Sequence, residues 1–379
     1  MKYSKRIFIL LFFVILSGEL IQHHLHPINV ETLHGSSTQL SKPIFSFDKW
    51  LEGTFQEEWT KYLDQKLDLH SFLVRLSNQI DYTLFKQTKA VRVEEGKDGY
   101  LFDNGYIESY YGDDYEGDYF FLDKAKKLLF IQEKLKEKNI ELIFIIPAGK
   151  PSLYLDKIPK HYFTKSKKKS NYEGCVEQFR KHNIQLVDLR NYLLKVKDTA
   201  KYPLFSKKGV HWSGYTATIT ADTVIRYMEN LKKIDLPDYR QTGGETTFTP
   251  RGTDDDILKA MNLLIEDRSE KLFYPTITFD KPDSTKVKPN VLIIGDSFVW
   301  TWLNFYEYIP HLFSEKSEYW YYNKEVHWPL QQNQFPYSVS TKNLAEKVKD
   351  RDYILLVFND ASLIHCGYGA IEQLYDILK

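Results

Sequence analysis

Cysteine is scarce, with two in 379 residues, Cys175 and Cys366. That count excludes a disulfide-built scaffold and a zinc site made of cysteines alone. The two could bridge in an oxidising compartment or stand as two buried thiols, and free cysteine is among the most buried residue types. Net charge is lacking too: 51 Lys and Arg balance 51 Asp and Glu. Proteins that grip phosphate backbones need a basic excess, so a nucleic-acid partner is not expected. No internal repeat is visible, and no second apolar run reaches spanning length. What is present is a balance of 42% hydrophobic and 27% charged residues, which suits a globular protein with a substantial core. At roughly 100–200 residues per domain, the length fits one large domain with an appendage, or two modest ones. The 27 Tyr and 24 Phe suit a sugar-facing surface and a packed core equally.

The amino terminus carries Lys2, Lys5 and Arg6, then ten uninterrupted apolar residues from Ile7 to Leu16. Positive charge followed by such a run matches an export signal. A full span needs about 20 apolar residues, and Glu19, His23 and His24 interrupt the continuation. No small-x-small cleavage site and no lipobox cysteine follow. Residues 1–26 therefore read as a signal peptide or signal-anchor, with the basic residues on the cytoplasmic side. The rest of the chain is expected outside the cytoplasmic membrane, anchored and facing the periplasm or the extracellular side. His23, His24, His26 and His34 read as part of a polar linker rather than a metal site. Residues 27–46 form that linker, rich in Pro, Gly, Ser and Thr.

From Phe47 to about Phe85, apolar residues recur at spacings of three and four, as in two amphipathic helices. A helical extension is expected over 47–120 and the main domain over 121–379. Leu122–Lys138 reads as a helix leading into the buried strand Ile140–Ile146. Ile184–Leu189, Val291–Ile294 and Tyr353–Phe358 are further strands, and Glu173–Lys181 and Tyr215–Leu231 are helices. Lys165 to Lys169 read as a solvated loop, and 238–256 as a polar surface excursion. Helices alternating with buried apolar strands predict a three-layer α/β/α fold with a mainly parallel sheet.

Chemistry concentrates in two places. The strand Val291–Ile294 runs into Gly295-Asp296-Ser297-Phe298, and functional groups emerge at the carboxyl ends of strands in such sheets. Gly295 permits a sharp turn. Ser297 would then begin the next helix, where free backbone N–H groups can stabilise an oxyanion. Asp296 beside it is expected to tie down the loop. A serine hydroxyl needs a base within about 3 Å, and histidine is the usual one. Gly209-Val210-His211-Trp212-Ser213-Gly214 supplies His211, 86 residues upstream of Ser297. Trp212 could shield the imidazole, contact substrate or pack the core.

Four blocks make the chain similar to the alginate O-acetyltransferase AlgX/AlgJ-like family, whose catalytic domain is related to SGNH (GDSL-type) hydrolases. Gly96-Lys97-Asp98-Gly99-Tyr100-Leu101-Phe102 resembles the family's G-x-D-G-W-L-F. Ile145-Ile146-Pro147 follows, with Lys150 and Tyr154. His211-Trp212 with Gly214 resembles D-x-H-W-T-x-x-G, and Gly295-Asp296-Ser297-Phe298 is the nucleophile block. Histidine precedes serine here, as in that family and unlike ordinary SGNH hydrolases.

The resemblance implies an extracytoplasmic O-acetyltransferase. It would act on a cell-surface polysaccharide, with Ser297 as nucleophile and His211 as base, and would need no metal or cofactor. The acetyl donor would come through a membrane-bound O-acyltransferase (MBOAT) partner. A polysaccharide acetyl esterase and an inactive glycan-binding scaffold are the alternatives. One departure stands out. The family's triad acid lies two residues before the histidine, where this chain has Gly209. Asp360, after the strand ending at Phe358, is the candidate replacement. The second oxyanion donor is not identified from the sequence.

Overall fold

A computed structural model describes residues 2–35, 40–281, 283–329, 336–339 and 344–379. Part of the expected linker, 36–39, lies outside the described residues. The chain divides into two compact units: Met1–Val93 with Leu258–Asp267, and Glu94–Ile257 with Arg268–Lys379. Residues 94–120, expected in the helical extension, thus belong to the unit that carries the sheet.

In the first unit, helices span Lys2–Leu25, Phe47–Glu52, Thr54–Lys66 and His70–Phe85. His23 and His24 form the last turn of the first helix, not part of a linker. Among the described residues no helix is long and apolar enough to cross a membrane. The pair of helices expected over 47–85 is three. Buried polar side chains hold the returning segment in this unit. Arg75 Nη1 donates to the Leu263 carbonyl at 3.1 Å, and Asn78 Nδ2 donates to that of Met261 at 3.0 Å.

The strands, in chain order, are β1 (Val93–Glu95), β2 (Leu101–Asp103), β3 (Glu141–Ile146), β4 (Leu186–Asp188), β5 (Tyr239–Thr247) and β6 (Leu272–Phe279). They continue with β7 (Val291–Gly295), β8 (Glu318–Tyr321), β9 (Glu325–Trp328), β10 (Tyr337–Ser338) and β11 (Tyr353–Val357). Among the described residues the main sheet has the order β10-β9-β8-β7-β11-β3-β4. From β8 to β4 the neighbours run parallel, and β9 and β10 add an antiparallel edge.

The apolar strands dictate this arrangement. Every residue of β3, β7 and β11 is buried, as parallel strands covered on both faces must be. Side chains alternate between the faces. Ile143, Ile145, Ile293 and Leu355 face one core with Ala217, Val224 and Met228 of the helix Gly214–Lys232. Phe144, Ile294 and Leu356 face the other, with Leu128 of the helix Asp118–Lys136, Phe179 of Asn171–Lys181 and Leu374 of Ala370–Leu378. The result is the expected α/β/α sandwich.

The lysine run at 165–169, expected as a solvated loop, is tied down by acidic neighbours. Lys167 meets Glu173 at 2.5 Å, and Lys169 meets Glu177 at 2.8 Å. The excursion at 238–256 is not featureless either, because β5 pairs antiparallel with β6.

Candidate active site

Register brings the site to one edge of the sheet. Gly295 ends β7 beside Val357 of β11 on one side and Tyr321 of β8 on the other. A Cβ on Gly295 would stand 2.7 Å from Val299 Cγ2 and 2.8 Å from the Val357 carbonyl oxygen. Only glycine allows the chain to turn there. The turn is a 3-10 helix from Ser297 to Trp300, which places the partly exposed Ser297 at its first position. Asp296 is wholly buried and holds the turn. Its carboxylate accepts from the Phe298 N–H at 3.0 Å and from the Asn359 N–H at 2.7 Å. Burial raises its pKa.

His211 lies in a loop closed by a bridge between Phe205 and Trp212. Ser213 next to it caps the helix Gly214–Lys232. Two chain-distant groups meet at its ring. Ser297 Oγ donates to Nε2 at 2.8 Å, and Nδ1–H donates to Asp256 Oδ2 at 2.7 Å. These bonds assign the tautomer. The other Asp256 oxygen accepts from the Val210 N–H at 2.8 Å. The carboxylate is therefore fixed against the loop it serves.

Asp256, not Asp360, lies against the imidazole. Asp360 sits after β11 and binds elsewhere. One of its oxygens accepts from the Gly149 N–H at 2.8 Å, and the other binds the Ser152 hydroxyl and lies 3.3 Å from Arg190. It locks the loop after β3. Gly209 explains the exchange of acids. A Cβ there would lie 2.4 Å from the Thr253 carbonyl oxygen and 2.9 Å from the Asp254 carbonyl carbon. The chain before Asp256 packs directly on the Gly209 backbone. The side chain missing at 209 leaves the room through which another segment delivers the carboxylate. The run Asp254-Asp255-Asp256 in a polar stretch is the sequence signal that could have found it.

Trp212 is fully buried, so it is not in contact with substrate. Its indole N–H bonds the Thr301 hydroxyl, and its ring lies 5.3 Å from that of Phe298. It fastens the histidine loop to the turn that carries Ser297. Lys150 does similar structural work further back. Its ammonium nitrogen reaches the carbonyls of Leu101 at 2.8 Å and Lys207 at 3.1 Å. Two of the blocks noted in the sequence, and the chain just ahead of the histidine block, thus meet at one side chain. Complete burial pulls the Lys150 pKa down to about 7. Glu270 accepts from the Lys207 N–H and the Ser206 hydroxyl, bracing the same loop. Asp254 is raised to about 7, chiefly by burial; one oxygen accepts from the Tyr274 hydroxyl and the other has no partner among the described residues. Among the described residues no group of three or more His, Cys, Asp or Glu side chains is placed to hold a metal.

A doubly covered parallel sheet with a hydrogen-bonded serine, histidine and aspartate at its carboxyl edge defines an SGNH hydrolase-like protein. The chain belongs to the family described as "SGNH hydrolase-like domain, acetyltransferase AlgX", matched over residues 93–320. Among solved structures it is similar to the O-acetyltransferase domain of Pseudomonas putida AlgJ. That match has 16% identity and a TM-score of 0.47, covering 75% of this chain and 98% of the other. Pseudomonas aeruginosa AlgX is similar at 13% identity and TM-score 0.46, over 75% of this chain and 66% of that one. Bacillus cereus PatB1 follows at 13% and 0.40, over 72% and 97%. No curated protein sequence matches the chain.

Proposed function

We propose that this protein is an extracytoplasmic O-acetyltransferase that modifies hydroxyls of a cell-surface polysaccharide. The observation that carries this reading is the unbroken hydrogen-bonded line from Asp256 through His211 to Ser297. Ser297 Oγ attacks the acetyl carbonyl of the donor while His211 Nε2 takes its proton. The oxyanion meets the Ser297 N–H at the head of its turn. The intermediate collapses, the leaving group departs with the proton from His211, and acetyl-Ser297 remains. A sugar hydroxyl then attacks, gives its proton to His211, and leaves acetylated as the proton returns to Ser297 Oγ. Asp256 keeps its place on Nδ1 throughout. It holds the ring's tautomer and stabilises the imidazolium.

The export-like first 26 residues and the family membership support a place outside the cytoplasmic membrane. They also support an acetyl donor supplied by a membrane-bound O-acyltransferase. Substitution Ser297→Ala tests the reading. Glycan acetylation in cells carrying it should fall to background, and undiminished acetylation would refute catalysis at this serine. A serine-directed sulfonyl fluoride should label Ser297 in the folded wild-type protein.

A further inference from the structure

The aromatic content of the sheet does not stop where its core stops. Along β8, Tyr319 and Trp320 are fully buried, but Tyr321 and the next residue, Tyr322, are partly exposed. Register sets Tyr321 beside Gly295, two residues before Ser297. Three more partly exposed rings gather there. Trp300 closes the turn that Ser297 opens, His327 lies on β9, and Tyr368 lies after β11.

The rings form a continuous row. Trp300 and Tyr321 have centroids 4.6 Å apart, Tyr321 and Tyr322 4.2 Å, and Tyr322 and Tyr368 4.6 Å. His327 flanks the row, 4.8 Å from Tyr321 and 5.7 Å from Trp300. Tyr322 and Asn323, with φ 48° and 55°, are the central residues of the tight turn between β8 and β9, which Lys324 N–H closes by donating to the Tyr321 carbonyl at 2.9 Å. The Tyr322 N–H donates to the carbonyl of Gly295, two residues before Ser297, at 2.8 Å.

We propose that Trp300, Tyr321, Tyr322, His327 and Tyr368 form a stacking subsite that holds a pyranose ring of the acceptor glycan beside Ser297. An aromatic face takes the C–H face of a sugar, while hydroxyl and ring N–H tips meet its hydroxyls. Such a row selects sugars with a continuous C–H face, as β-linked gluco-configured residues have. The subsite rests on the acyl-transfer reading for its purpose but not for its existence.

Titration of the full-length protein with cellopentaose and with chitopentaose, followed by calorimetry and tryptophan fluorescence, tests it. At least one should bind. Tyr321→Ala and Trp300→Ala should each weaken that binding roughly tenfold or more, the size of one lost aromatic stack. Tyr321→Phe should bind within about threefold of wild type, since the ring remains. No binding of either pentasaccharide, or wild-type affinity in both alanine variants, overturns the subsite. Sulfonyl fluoride labelling of Ser297 uses no sugar and separates the two claims. A labelled protein that binds neither probe loses the subsite and keeps the acyl-transfer reading. An unlabelled one that binds with the expected variant pattern does the reverse.

Discussion

A serine hydroxyl is a weak nucleophile until a base takes its proton, and that base works only in one tautomer. At His211 the tautomer is set by Asp256 on Nδ1, which leaves Nε2 to accept from Ser297. Asp256→Asn would offer the wrong partner to the ring. Acetyl-ester turnover should fall roughly a thousand- to ten-thousand-fold, as in other triads, with the fold intact. Asp360→Asn should act differently. It disturbs a buried carboxylate beside Arg190, so thermal unfolding should show a loss of about 1–3 kcal/mol while Ser297 in the folded protein labels at the wild-type rate. A turnover loss as deep as that of Asp256→Asn would return Asp360 to the active site. Ser297 and His211 were legible in the sequence because each sits in a short motif whose chemistry is local. The acid was not. Asp256 lies 45 residues past the histidine and reaches it only through tertiary packing.

Among the elements, the segment at 251–256 is the most informative, because it supplies what the histidine loop lacks. Its contact with Gly209 leaves no room for a side chain. Gly209→Asp, which restores the acid of the family pattern, should therefore lower activity rather than raise it. The added atoms would push Asp256 off the imidazole. Turnover at or above wild type would show that the segment yields and that either position can serve. The long apolar strands and the helices covering them were legible from period and burial pattern, within a few residues at their ends. β8 and β9 were not, because Glu318–Trp328 is aromatic and charged and lacks the apolar runs of the central strands. β5 and β6 escaped for a related reason: β5 is polar and mostly exposed, so no hydrophobic pattern marks it.

For the whole molecule, stability at neutral pH carries the cost of buried ionisable groups. Asp254 has a native pKa raised to about 7 from an ordinary value near 3.8. Between those values the native state holds a proton that the unfolded chain has released, so stability falls as pH rises through that window. The penalty is absent below about pH 4 and complete above about pH 7. Asp254→Asn keeps the shape and removes the charge. It should raise stability relative to wild type by roughly 1–3 kcal/mol at pH 8, with little or no gain at pH 4. Denaturant unfolding at both pH values checks this, and an equal effect at both would refute it.

Covalent capture of the acyl group tests the central claim most directly. Wild type and Asp256→Asn are exposed briefly to p-nitrophenyl acetate, quenched in acid, and read by intact-protein and peptide mass spectrometry. Wild type should carry one acetyl group on Ser297, and Asp256→Asn should carry almost none on the same timescale. Equal acetylation of both proteins, or acetyl found away from Ser297, would contradict the assignment of Asp256, His211 and Ser297 as one catalytic unit.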